Sequence, residues 1–77
     1  MSGAQEIIIE VSGMTADIGE GHVIAALAAV PGVTAARASR SEGHAVVTAD
    51  PLVATPEKLL KAIADAGYEP GEVRFPE

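Results

Sequence analysis

From Glu6 to Val11 the chain reads Glu6-Ile7-Ile8-Ile9-Glu10-Val11, a β-branched run in which apolar residues recur at every second position. A period of two predicts a half-buried strand with Ile7, Ile9 and Val11 turned to the core and Glu6, Ile8 and Glu10 turned away. Ser12 and Gly13 end that strand, and Met14, unbranched and apolar, reads as a plug tucked beneath the following loop. From about residue 17 to residue 29 the period becomes helical, since Val23, Leu27 and Val30 recur at spacings of three and four on one face. Asp17 and Glu20 are placed to form a capping box at its start, although Gly19 and Gly21 weaken that first turn by roughly 1 kcal/mol each relative to alanine.

Pro31-Gly32 stops the helix, and residues 33–40 read as a second strand with Ala36 and Ala38 inward. Ser41-Glu42-Gly43 forms the turn of a hairpin, and residues 44–49 form a third strand with Ala45 and Val47 inward. Asp50-Pro51 ends it, because proline cannot donate to the ladder. Thr55-Pro56-Glu57 is a strong helix start, and a second helix runs to about Ala66 with Leu59, Ile63 and Ala66 inward. Glu57 and Lys61 are spaced as an i,i+4 ion pair, and Gly67 supplies a left-handed end. Val73 and Phe75 alternate in a last short strand, with Phe75 assigned to the core. The order βαββαβ predicts an α+β ferredoxin-like sandwich, one domain whose core runs over about residues 6–75, with two helices on one face of a four-stranded antiparallel sheet in spatial order 4-1-3-2. That fold hosts unrelated activities, so function has to be read from the strand–loop–helix junction at residues 11–27.

Composition narrows the options. Five Lys and Arg against eleven Asp and Glu give a formal charge of -6. Such a surface offers no counterion-releasing basic patch, which argues against nucleic acid. The chain contains no cysteine, so disulfides and thiolate chemistry are excluded. No apolar run reaches a membrane span and no secretory pattern opens the chain, so a cytoplasmic monomer without membrane insertion is expected. Enzyme chemistry finds no support: acylphosphatases share the strand order but need an asparagine, which is absent here, and no triad spacing or phosphate-cradling loop occurs. RNA-recognition domains need exposed strand aromatics, whereas this chain has only Tyr68 and Phe75.

Gly13-Met14-Thr15, Val23, Ala26-Leu27, Val30-Pro31-Gly32-Val33, Asp50-Pro51, Thr55-Pro56-Glu57 and Asp65-Ala66-Gly67-Tyr68 together resemble the heavy-metal-associated domain. That family includes bacterial copper chaperones, modules of copper- and zinc-exporting ATPases and mercury-binding proteins. Residues 21–23 and 30–33 are most similar to the amino-terminal domain of mercuric reductase. The resemblance implies ancestry in soft-metal trafficking or detoxification, and a metal loop of the form Gly-Met-x-Cys-x-x-Cys, which places Ala16 and Gly19 at the two cysteine positions. It also brings the turn after the second helix beside that loop, so that Met14, Thr15 and Tyr68 flank the site.

Neither Ala16 nor Gly19 can ligate a soft ion, since Cu(I) and Hg(II) require polarizable thiolates. Three readings stay open. The domain is a metal-free scaffold or docking module for another domain or protein of a metal-handling system, with no cofactor. Alternatively, it binds Zn, Ni or Cu(II) weakly through Asp17, Glu20 and His22. Or it is an engineered loop variant of a metal-binding parent, made to abolish binding or to install something else. The second reading has difficult geometry, because His22 points about 200° around the helix from Glu20. His44, opening the third strand, is expected far from the loop.

Overall fold

The computed structural model describes residues 4–14 and 17–76. Its elements are β1 (Gln5–Ser12), α1 (Asp17–Ala28), β2 (Val33–Ser39), β3 (His44–Ala49), α2 (Pro56–Asp65) and β4 (Glu69–Arg74). The four strands form one antiparallel sheet in the order β2-β3-β1-β4, the ferredoxin-like arrangement anticipated from the alternation of periods.

The period-two pattern of β1 places Ile7, Ile9 and Val11 in the core, each at most 4% exposed. Ala45, Val47 and Ala49 of β3 are fully buried beside them, and their short side chains let the helices lie close to the sheet. Val23 and Leu27 of α1 and Leu59 and Ile63 of α2 complete the interior at 0% exposure. Burial of each such side chain contributes roughly 1.5–3 kcal/mol. Thr55 caps α2 by accepting from the Lys58 amide at 3.4 Å, with Pro56 in the first turn.

Two surface expectations need correction. Lys61 pairs with Asp65 at 3.5 Å rather than with Glu57; both arrangements have i,i+4 spacing, and the helical pattern alone does not choose between them. Phe75 is 48% exposed and falls outside β4, beyond the Ile8–Arg74 pair that ends the β1–β4 register. With no ladder partner to fix its backbone, alternation no longer carries its side chain into the core.

The helix-free face of the sheet is polar at its margins. Arg37 lies 3.9 Å from Glu6 and Arg74 lies 4.0 Å from Glu10, contacts long and exposed enough to contribute little stability.

Candidate functional site

Three connections meet at one pole of the fold: the β1–α1 loop, the β2–β3 hairpin and the α2–β4 turn. Antiparallel pairing dictates this, because β3 begins where β1 ends, with Glu10 opposite His44 and the Val11 amide donating to the Gly43 carbonyl at 2.9 Å. The hairpin, and His44 with it, therefore lies at the same end as the loop, correcting the expectation that His44 would be remote. His44 still turns away from the loop: it shares the outward side of its strand with Glu10, and its Nε2 donates to Glu42 Oε1 at 2.6 Å.

Tyr68 is delivered to the pole by the way α2 ends. The Gly67 amide donates to the Ala64 carbonyl at 3.0 Å and the Tyr68 amide to the Ile63 carbonyl at 3.2 Å, with Gly67 at φ 96°. These two bonds define a Schellman turn, which reverses the chain at a left-handed glycine. The turn lays the phenol ring along two glycines of the loop. A Cβ on Gly13 would stand 3.5 Å from Tyr68 Cδ1, and one on Gly19 would stand 3.3 Å from Tyr68 Oη and 3.6 Å from Cε1. Gly13 takes φ 101° where β1 ends, a backbone shape that glycine adopts without steric cost.

Met14 is 8% exposed, and its Cα would lie 3.4 Å from a Cβ on Gly19. Gly19 itself is buried within α1, so Met14 below and Tyr68 beside it enclose this position. The hydroxyl of Tyr68 lies 3.4 Å from His22 Nδ1, within reach of a long hydrogen bond. Glu20 faces the other way: its Oε2 accepts from the Arg40 amide at 2.7 Å, clasping the first turn of α1 to the hairpin. A carboxylate accepting from an amide is a charge-assisted bond, and it gives Glu20 a role other than the reciprocal cap expected from its spacing to Asp17.

Thr15, Ala16 and the Asp17 side chain lie outside the described residues. Of the remaining residues singled out in the sequence, Met14, Gly19, His22 and Tyr68 come together, while Glu20 and His22 leave α1 toward different neighbours. Among the described residues no three His, Cys, Asp or Glu side chains form a group able to hold a metal ion. The Gly13 wall of the phenol slot and the Glu20–Arg40 clasp were not foreseen. A glycine closing a β-branched run hints at the first, but nothing local signals a contact spanning twenty residues.

A sequence model of the heavy-metal-associated domain matches residues 8–69. Mercuric reductase of Serratia marcescens is 41% identical over 61 residues, covering 79% of this chain and 13% of that enzyme. The chain spans 5 to 13% of the length of the curated relatives it matches. Oxidized MerP from Ralstonia metallidurans CH34 superimposes with a TM-score of 0.83 at 35% identity, covering 88% of this chain and 94% of the other. The copper binding domain of HMA7, a P-type ATPase, gives a TM-score of 0.82 at 32% identity over 95% of each chain. With the family pattern running over residues 8–69 and the fold matched over 88 to 95% of the chain, this protein belongs to the heavy-metal-associated domain family.

Proposed function

We propose that this domain is a metal-free docking module of a metal-handling system, non-enzymatic, retaining the fold and the loop pole of its family without soft-metal ligands. The observation that carries this reading is the state of position 19: a glycine stands there, closed in by Tyr68 and Met14, in a chain that holds no cysteine. A two-thiolate site requires sulfur at that place. Copper or mercury ancestry is the inheritance of the fold, and the partner is another domain or protein that itself carries the metal.

The reading with exchanged ligands has less support, since the Glu20 carboxylate is engaged by the Arg40 amide and His22 turns to Tyr68. No helix among the described residues is long and apolar enough to cross a membrane.

Calorimetric titration with Cu(I), Hg(II), Zn(II), Ni(II) and Cu(II) tests the proposal. Dissociation constants weaker than about micromolar are expected for every ion. A submicromolar constant for Zn(II), Ni(II) or Cu(II), lost in Glu20→Gln or His22→Ala, would instead establish the exchanged-ligand reading. The double change Ala16→Cys and Gly19→Cys provides the positive control. It restores two thiolates at the family's spacing and should recover tight Cu(I) or Hg(II) binding; the Cβ that Gly19→Cys adds asks Tyr68 to yield only a few tenths of an ångström. A folded double variant that binds soft metals no better than the parent would show that these two positions are not the family's ligand positions.

A further inference from the structure

The side of the molecule formed by the outer flank of α1 and the free edge of β2 is the part whose composition neither folding nor the loop pole explains. We infer that it is the interface for a second copy of this chain, joined through antiparallel pairing of the two β2 edges, in place of the monomer that the sequence suggested.

Two independent features support this. First, the second half of α1, from Val23 to Ala28, is apolar all round. Beyond the core residues Val23 and Leu27, it leaves Ala25 and Ala28 exposed and Ile24 half-buried, and Ile18 in the first turn is 69% exposed. A helix facing water on its outer side ordinarily carries charge there, as α2 does with Glu57, Lys58, Lys61 and Asp65. Second, the sheet has two free edges, β2 and β4, and they differ. The β4 edge carries Pro70, which has no amide to donate, together with Gly71 and the charges of Glu69, Glu72 and Arg74. Such features blunt an edge against pairing. The β2 edge has no proline and one charge, Arg37, and its unpaired backbone groups offer a template for another strand.

The two features are adjacent, since α1 packs on β2 and residues 21–36, which join them, contain no Asp, Glu, Lys or Arg. That absence of charge selects the occupant. The chain carries a charge of -6, so two copies approaching elsewhere bring like charges together, whereas this side lets them meet without doing so. An antiparallel register with the two Ala36 residues opposite each other sets Arg37 against Ala35 rather than against its own copy, and makes the contact isologous about a twofold axis. The helices then meet above the joined strands. A standard interface takes about 800 Å² from each partner, under a fifth of the 4572 Å² exposed here, an area that one strand edge and one helix flank can supply.

Sedimentation equilibrium over a range of concentrations, combined with amide exchange, provides the test. The expected result is a concentration-dependent shift from 7.8 kDa to twice that mass, with a dissociation constant of roughly 1–100 µM. Slowed exchange of β2 amides should accompany it. Ala28→Glu on the helix flank and Ala35→Arg on the edge, which sets an arginine against Arg37 of the other copy, should each weaken dimerisation at least about tenfold. Ala64→Glu, on the exposed face of α2, adds the charge of Ala28→Glu elsewhere and should leave the constant within about twofold. Circular dichroism confirms folding, and Ala28→Glu keeps the test decisive should Ala35→Arg unfold. A monomer persisting at about 1 mM, a dimer indifferent to Ala28→Glu, or a dimer without protection of β2 amides would each overturn the inference; the first leaves the edge to an extended segment of another protein.

Discussion

Substitution of Gly19 by alanine measures how closed the loop pole is. Gly19 is the third residue of α1 and its backbone is not left-handed, so an L-residue fits it without strain. Removal of glycine from a helix interior gains about 0.8–1.0 kcal/mol, part of which is realised this near the helix start. Opposing the gain, the new Cβ stands 3.3 Å from Tyr68 Oη, and the phenol must shift by a few tenths of an ångström. That movement lengthens a contact to His22 which is already 3.4 Å, and losing a bond so long and exposed costs at most about 0.5 kcal/mol. The expected net change is a stabilisation of about 0.5 kcal/mol, a rise of roughly 2–4 °C in Tm for a domain of this size. In a Tyr68→Phe background no hydroxyl remains to yield, so the same substitution should gain closer to 1 kcal/mol, a coupling of about 0.5 kcal/mol. Urea unfolding of the four proteins in the cycle measures both terms. Destabilisation by more than about 1 kcal/mol in both backgrounds would refute the reasoning, because it would make the Met14 backbone, 3.4 Å away, the rigid boundary of the site in place of Tyr68.

Gly32→Ala should be far more damaging, with a loss of about 2–3 kcal/mol in urea unfolding. Gly32 sits at φ 95°, and its added Cβ would meet Val53 Cβ and Cγ1 at 3.0 Å and the Ala54 amide at 3.1 Å. Glu20→Ala removes the acceptor of the Arg40 amide and should cost about 1 kcal/mol; Glu20→Gln, which keeps an acceptor oxygen, should cost less, and faster exchange of the Arg40 amide would locate the effect. Amides at residues 17–21 should exchange at least about tenfold faster than those of α2, since two glycines weaken that turn, while α2 has its Thr55 cap. Equal protection in the two helices would count against this account of the α1 start.

What the sequence disclosed and what it withheld divide along a physical line. Positions governed by a repeating period were legible: the alternation of Ile7, Ile9 and Val11 fixes one face of β1, and the spacing of Val23 and Leu27 fixes one side of α1. Positions governed by left-handed glycine were legible too, as at Gly67, whose turn brings Tyr68 to the pole. Surface side chains with more than one partner in reach were not. Lys61 had acids at both i−4 and i+4, and Glu20 had both its own helix start and a hairpin that only the tertiary fold brings near. Phe75 misled for a related reason, since alternation determines a face only while a neighbouring strand continues to pair. The family pattern placed the α2–β4 turn beside the loop, whereas the hairpin's place at the same pole follows from the antiparallel pairing of β1 with β3 and was missed for His44.

The phenol slot has an optical consequence. Tyr68 is the chain's one tyrosine, and there is no tryptophan to accept its excitation or mask its emission. Its ring rests against Gly13 and Gly19, with its hydroxyl close to His22. Ultraviolet-excited emission near the tyrosine band therefore comes from one place, the pole where a partner or an ion would have to arrive. The unlabelled protein thus carries its own fluorophore at that pole, and quenching or a lifetime change can be followed there without introducing a foreign dye.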